Sequence, residues 1–257
     1  MPPKKLPAVG KKGGKTAVVP VNSTFIPEDN VKQAQLQWPA ISPVLPPSDL
    51  ELEEVLPGQI IIIPRFFTQT LCKTYVHWLQ KSVQMITTPG KPQKGYAVRV
   101  NDRFQIHDAA FAERLWLTSG LKEIVAREPV ETWGGKEVLG LNPRIRIYRY
   151  SAGQFFDKHY DDTDQLSFGN PPVAARTTWT LLIYLTGVQD GVVGGETVFY
   201  TEATKTKKSE EMVVNLERGL AVLHKHGKDC MLHEGRLVEK DGGVGKWVLR
   251  SDLVIAR

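Results

Sequence analysis

Hydrophobic and polar positions follow two different rhythms along this chain. The first apolar block, "QIIIIPRFF", carries four isoleucines in a row, Ile60 to Ile63, which predicts a buried strand. After Pro64, "TQTLCKTYVHWLQKSVQM" repeats apolar residues at helical spacing, with Thr68 as its N-cap. The same spacing predicts a second helix across "DAAFAERLWLTSGLKEIVARE", capped by Asp108. From residue 141 onward the period becomes two. "RIRIYRY" alternates, "TWTLLIYL" does so in part, and "GGETVFY", "GLAVLHKH" and "GKWVLRSDLVIA" are short β-rich runs punctuated by Gly, Asp and Pro. "TEATKTKKSEE" reads as a charged loop between two of them. The pattern predicts an α+β, mainly β protein, with helices first and then an antiparallel sandwich or barrel that runs to the last residue.

Residues 1–50 lack this patterning and are rich in Pro, Lys and small residues. They read as a basic tail and extended lead-in, leaving residues 51–257 as one domain. Lys4, Lys5, Lys11, Lys12 and Lys15, with no acid before residue 24, supply the same +5 that the whole chain carries, so the remainder is balanced. The basic charge therefore belongs to the tail, as a solvated leader, a nuclear-import address or a nucleic-acid contact. No apolar run approaches the roughly 18 residues of a membrane span, and "MPPKKLPAVGKKGGK" lacks the apolar centre of a secretory signal. With Cys72 and Cys230 as the only cysteines, the expectation is a reduced intracellular setting, cytoplasmic or nuclear, with no membrane partner.

Candidate chemistry starts in "FFDKHYDDTD". His159 and Asp161 are two residues apart, so in a strand they share a face and can offer an imidazole and a carboxylate to one ion. A third ligand from a distant strand would complete a two-histidine, one-carboxylate triad with open positions for substrate and dioxygen. His224, His226 and His233 are the candidates, because His77 and His107 fall in the helical region. Lys246 follows His233 by 13 positions on the final apolar strand, where a cation can meet the carboxylate of a cosubstrate.

Together "RYSAGQFFDKHYDD", "LLIYLTG", "GGETVF", "LHEG" and "GKWVLRSD" resemble the prolyl 4-hydroxylase-type Fe(II)/2-oxoglutarate dioxygenases, over roughly residues 58–257 and most strongly from 144 on. The resemblance implies a double-stranded β-helix of jelly-roll type, buttressed by the helices. It implies Fe(II) ligation by His159, Asp161 and His233, and Lys246 as partner of the distal carboxylate of 2-oxoglutarate. Tyr150, Tyr184 and Thr180 are expected to line that pocket, Thr180 and Tyr184 sharing a strand face. The interval from His233 to Lys246 is three residues longer than the family pattern, through "EKDGG", and Arg250 is the rival or additional carboxylate partner. "KGYAVRVNDRFQIHD" sits where relatives carry a mobile substrate-covering loop. Arg99, Asn101, Arg103 and Arg176 are the substrate-side candidates.

The implied reaction uses Fe(II), 2-oxoglutarate and dioxygen, with ascorbate as reductant, and hydroxylates a substrate C–H bond with release of succinate and carbon dioxide. A prolyl residue of a peptide or protein is the expected substrate, with a small metabolite such as a free amino acid as the alternative. Two rivals remain: an oxygenase of the same fold acting on alkylated nucleic acid, prompted by the lysine tail, and a non-catalytic β-barrel binding module. Asp157, Asp162 and Asp164 read as rim charges, although alternation alone would put Asp157 on the ligand face.

Overall fold

The computed structural model describes residues 36–92 and 94–257. The lysines of the basic tail, with the readings attached to them, lie outside the described residues. The four isoleucines form a strand as the pattern predicts. β1 (Glu53–Leu56) pairs with β2 (Ile60–Ile63), and β2 in turn pairs with a strand more than 150 residues later. Helix α1 (Gln69–Ser82) is capped by Thr68, whose hydroxyl accepts the amide of Leu71 at 3.2 Å. Leu71, Cys72, Tyr75, Val76 and Leu79 form its buried stripe at helical spacing.

The next segment departs from the expected loop. β3 (Ile86–Thr87), β4 (Arg99–Val100) and β5 (Asp102–His107) are sheet strands; β5 pairs with the strand at 144–150 and β4 with the strand at 155–159. His107 therefore ends a strand rather than lying in a helix. The long helix expected across 108–128 is also divided, into α2 (Ala109–Thr118) and α3 (Leu121–Val125), followed by α4 (Val130–Trp133). Gly120 between them takes φ 83°, a left-handed conformation, and a Cβ there would come within 2.9 Å of the Leu50 side chain. Asp108 caps α2 as expected, accepting the amide of Phe111 at 2.9 Å.

The remaining elements are β6 (Val138–Leu141), β7 (Arg144–Tyr150), β8 (Phe155–His159), β9 (Gln165–Phe168), β10 (Val173–Tyr184), β11 (Val192–Gly194), β12 (Thr197–Tyr200), β13 (Glu211–Val214), β14 (Ala221–Lys225), β15 (Leu232–Gly235), β16 (Val238–Asp241) and β17 (Lys246–Ala256). The large antiparallel sheet runs β1-β2-β14-β10-β17-β7-β5-β3, with β9 beside β10 and β6 beside β17. A smaller antiparallel sheet runs β13-β12-β15-β8-β4. Two antiparallel sheets with helices set against one of them form the double-stranded β-helix. The residues that lengthen the interval before Lys246 build β16, which pairs with β11.

Residues 36–50 of the lead-in are docked on the domain. Trp38 stacks on Phe111 with ring centroids 4.0 Å apart and donates its indole N–H to Asp108 at 2.9 Å. Arg127 holds the carbonyls of Pro47 and Leu50. Residues 36–50 thus close the apolar core formed by α1, α2, α3 and the outer face of the large sheet.

Candidate active site

The inner faces of the two sheets enclose a pocket. The large sheet contributes Tyr148 and Tyr150 from β7, Leu182 and Tyr184 from β10, His224 from β14, and Lys246, Val248 and Arg250 from β17. The smaller sheet contributes Phe156 and His159 from β8, Thr197 from β12, and His233, Glu234 and Gly235 from β15. Register places the histidines: His233 lies opposite His159 across β15 and β8, so two rings distant in sequence meet with centroids 4.2 Å apart.

Asp161 lies two residues beyond His159, past the end of β8, and still converges on the same point. Its Oδ1 is 3.9 Å from His159 Nε2, and its Oδ2 is 3.6 Å from His233 Nε2. Both rings are held by their far nitrogens: His159 Nδ1 on the carbonyl of Asp157 at 2.7 Å, and His233 Nδ1 on that of Met231 at 2.9 Å. In the neutral ring each would donate from Nδ1 and present a lone pair at Nε2, the arrangement that orients metal-ligating histidines. Burial alone would raise the Asp161 carboxyl, but Arg250 and His233 beside it hold it well below the usual carboxylate range. Burial pushes the His159 imidazolium down, with His233 adding repulsion, so His159 is neutral. Burial also opposes a charge on His233, yet its bond to Asp161 raises it to about 10, so cation entry must release a proton there.

Arg250 is tied to the carboxylates inside this wall. It donates to Asp161 Oδ1 at 3.0 Å and to Asp252 at 3.4 Å, while Asp252 also accepts from Arg146 at 3.0 Å. Thr180 donates to Asp161 Oδ2 at 3.1 Å, so it positions the carboxylate. Lys246 is fully buried in the pocket. Its Nζ donates to the carbonyl of Gly195 at 2.6 Å and lies 5.0 Å and 5.7 Å from the ring centres of Tyr150 and Tyr184. Burial pushes its amine down to about 8, and among the described residues no carboxylate lies within 4 Å of it. Tyr184 gives its hydroxyl to Thr197 at 2.6 Å.

The substrate-side candidates separate. Arg176 is half-buried on β10, opposite Gln165 and Ile255, and does not line the pocket. Arg99 covers the face of Phe156 at 4.8 Å, and Phe156 stacks on His159 at 3.6 Å. Asn101 and Arg103 are buried beside β7, and Nε of Arg99, Nε of Arg103 and Nδ2 of Asn101 are enclosed without a partner. Asp157 is exposed and serves the site through its carbonyl, Asp162 is an exposed rim charge, and Asp164 pairs with Arg144 and Arg146.

His226 is excluded from the pocket because both ring nitrogens are engaged, by Thr180 at 3.0 Å and Thr177 at 2.9 Å. Tyr148 was missed by sequence reasoning, although its alternation with Tyr150 in "RIRIYRY" carried the signal. Burial would raise its phenol, but Arg250, Arg146 and Arg103 pull it down to about 8.

The donor set fits a divalent first-row metal: two buried imidazoles on paired strands and an ionised carboxylate just beyond one of them, with open space on the pocket side. The unpaired cation of Lys246 fits a carboxylate ligand in the same pocket. A sequence model described as the 2OG-Fe(II) oxygenase superfamily matches residues 145–251. No curated protein matches the chain. Among solved structures, the prolyl hydroxylase of Trichoplax adhaerens in complex with a hypoxia inducible factor peptide fragment is similar at 16% identity and TM-score 0.53, over 77% of this chain and 84% of that one. A Pseudomonas putida prolyl-4-hydroxylase is similar at 12% identity and TM-score 0.51, over 77% and 93%. SnoK, a non-heme α-ketoglutarate-dependent carbocyclase from nogalamycin biosynthesis, is similar at 14% identity and TM-score 0.52, over 83% and 87%. At these identities the likeness is one of fold.

Proposed function

We propose, from the premise that through residues 145–251 this chain belongs to the 2OG-Fe(II) oxygenase superfamily and is a 2-oxoglutarate-dependent dioxygenase, that it hydroxylates a prolyl C–H bond of a peptide or protein. The observation that carries the site assignment is the convergence of His159, Asp161 and His233 beside a buried, unpaired Lys246. His159, Asp161 and His233 hold Fe(II), which supplies the coupling of dioxygen reduction to decarboxylation of 2-oxoglutarate, with succinate and carbon dioxide as products. Lys246 binds the distal carboxylate of 2-oxoglutarate, with Tyr150 and Tyr184 shaping the walls around it. Arg250 and Thr180 fix Asp161 so that its ligating edge faces the histidines. Ascorbate as reductant and an intracellular, cytoplasmic or nuclear setting complete the proposal; both cysteines being free supports the latter.

A second reading, a small acidic metabolite as substrate, is favoured by Arg99 and Arg103, whose charges have no carboxylate within 4 Å among the described residues. The test is mass spectrometry of reactions containing Fe(II), 2-oxoglutarate and either lysate peptides or free proline and small organic acids. Succinate formation with a gain of 16 Da on a prolyl residue is expected. A gain of 16 Da confined to small acids selects the second reading. Stoichiometric succinate with loss of 2 Da from the substrate overturns hydroxylation in favour of ring closure.

A further inference from the structure

Positions 99, 101 and 103 hold buried donors that the described chain leaves unanswered. Nε of Arg99, Nδ2 of Asn101 and Nε of Arg103 have no hydrogen-bond partner, and Asn101 and Arg103 are 0% and 5% exposed. Strand register places them. On the inner face of the large sheet, Val248 lies opposite Tyr148, and Tyr148 lies opposite Arg103. Directly paired residues share a face, so Arg103 stands at the β5 end of a row whose other members line the pocket. Arg99 comes from the smaller sheet. It lies opposite Phe156 of β8 and covers that ring at 4.8 Å, while Phe156 stacks on His159 at 3.6 Å. The neighbouring cations are all matched. Arg250 meets Asp161 and Asp252, Arg146 meets Asp252 and Asp164, and Arg144 meets Asp164. Asp102, beside Arg103 in sequence, alternates to the opposite face and is taken by Arg149 at 2.6 Å. Among the described residues no carboxylate lies within 4 Å of Arg99 or Arg103, and Arg103 donates instead to the Gln105 side chain at 3.0 Å. Burial pushes the Arg103 guanidinium down to about 10, and repulsion from Arg99, Arg146 and Arg144 adds to this against the attraction of Tyr148.

We infer that Arg99 and Arg103 form a site for a carboxylate of the substrate, at the β4–β5 flank of the pocket; the inference rests on the oxygenase reading above and adds a charge to its substrate. Two guanidiniums from different sheets offer fork-shaped pairs of N–H donors, the geometry that holds a carboxylate by charge-assisted bonds. An anion between them relieves their mutual repulsion and gives Arg103 the counter-charge that the chain withholds. This site is separate from that of 2-oxoglutarate. Lys246 lies on β17 opposite Tyr150, whereas Arg103 lies on the other side of β7, opposite Tyr148. One wall therefore carries two anion sites, the cosubstrate's on the β17 side and the substrate's on the β5 side. The stack of Arg99 on Phe156 and Phe156 on His159 ties the second site to the metal, so the carboxylate it holds fixes which C–H bond faces the centre. A neutral substrate leaves Arg103 buried and unmatched, which makes the pair a specificity device as well as a binding one. The carboxylate belongs either to a free acid or to an acidic side chain beside a prolyl residue.

The test is isothermal titration of the full chain, loaded anaerobically with Fe(II) and 2-oxoglutarate, with two pairs of probes. N-acetylproline is compared with N-acetylprolinamide, and acetyl-Pro-Asp-amide with acetyl-Pro-Asn-amide. In at least one pair the carboxylate member should bind on the order of tenfold tighter or more, the worth of a charged hydrogen bond. A preference confined to the first pair identifies a free acid as the source, and one confined to the second identifies an acidic side chain. Arg99→Gln and Arg103→Gln should each shrink the preference toward unity, and Arg103→Lys should restore part of it. Equal affinities within both pairs, or no binding by any probe, would overturn the site. So would variants that weaken both members of a pair alike, which is the mark of a structural role. Should Arg103→Gln fail to fold, Arg99→Gln, at a half-buried position, carries the same comparison. The reaction is read separately, as succinate formed in air. A carboxylate preference without succinate overturns the oxygenase reading and leaves the site, whereas succinate without a preference leaves the reading and removes the site.

Discussion

β10 and β17 each carry two faces with opposite tasks. On one face, Trp179, Leu181 and Ile183 of β10 join Trp247, Leu249 and Leu253 of β17 in the apolar core beneath the helices. On the other, Leu182, Tyr184, Lys246, Val248 and Arg250 line the pocket between the sheets. Successive residues point to opposite sides of a strand, so a shift of one position separates a residue that holds the sheet against the helices from one that lines the pocket. Leu249 and Arg250 are neighbours in sequence with unrelated environments. The apolar face can hold the polar one rigid because it is fully packed, and on the pocket face Arg250 is matched by Asp161 and Asp252 while Lys246 bonds the carbonyl of Gly195.

The comparison can be broken most severely from the pocket side. His159→Ala or His233→Ala removes an imidazole from a converging set and should abolish succinate formation from 2-oxoglutarate, read by mass spectrometry, in chains that still melt cooperatively. Normal turnover in His233→Ala would dissolve the triad. From the opposite face, Leu249→Ala deletes a fully buried side chain and should lower unfolding free energy by about 2–5 kcal/mol in urea titrations. Below its melting temperature this variant should retain the wild-type KM for 2-oxoglutarate. A large rise in KM with unchanged stability would show that the two faces are not separable.

How much of this was legible in the sequence follows from the range of the contacts involved. Period-two alternation in "RIRIYRY" and the spacing of His159 and Asp161 are local signals, and both led to the pocket. The caps at Thr68 and Asp108 were also local, each a side chain bonding an amide three residues on. The break at Gly120 was written in the sequence but overridden by apolar spacing on either side of it. β4 and β5 were hidden because their partners, β8 and β7, lie about 40 to 60 residues away and supply the pairing. His224 could be recognised as a candidate, but only the folded chain shows that it lines the pocket while His226 is held by Thr180 and Thr177. The docking of Trp38 was invisible for the same reason, since its aromatic partners Trp78 and Phe111 come from two later helices.

Lys246 offers the finest test, because it is a charge placed where no carboxylate of the described chain meets it. Lys246→Ala should raise the KM for 2-oxoglutarate by roughly 10- to 100-fold, the equivalent of losing a charged hydrogen bond of about 1.5–3 kcal/mol. Its pH dependence distinguishes it from Arg250. Burial pushes the free amine down to about 8, so the cation that meets a carboxylate is present below that pH and depleted above it. Bound 2-oxoglutarate stabilises the protonated form, so affinity should be constant from pH 6.5 to 7.5 and then fall by up to about tenfold per unit above 8. Burial opposes the charge of Arg250, but Asp161 and Asp252 keep it protonated throughout that range, so Arg250 cannot produce this slope. Lys246→Arg should flatten the profile between pH 8 and 9.5, because a guanidinium does not titrate there. A wild-type KM that stays level across that interval would transfer the carboxylate-binding role from Lys246 to Arg250.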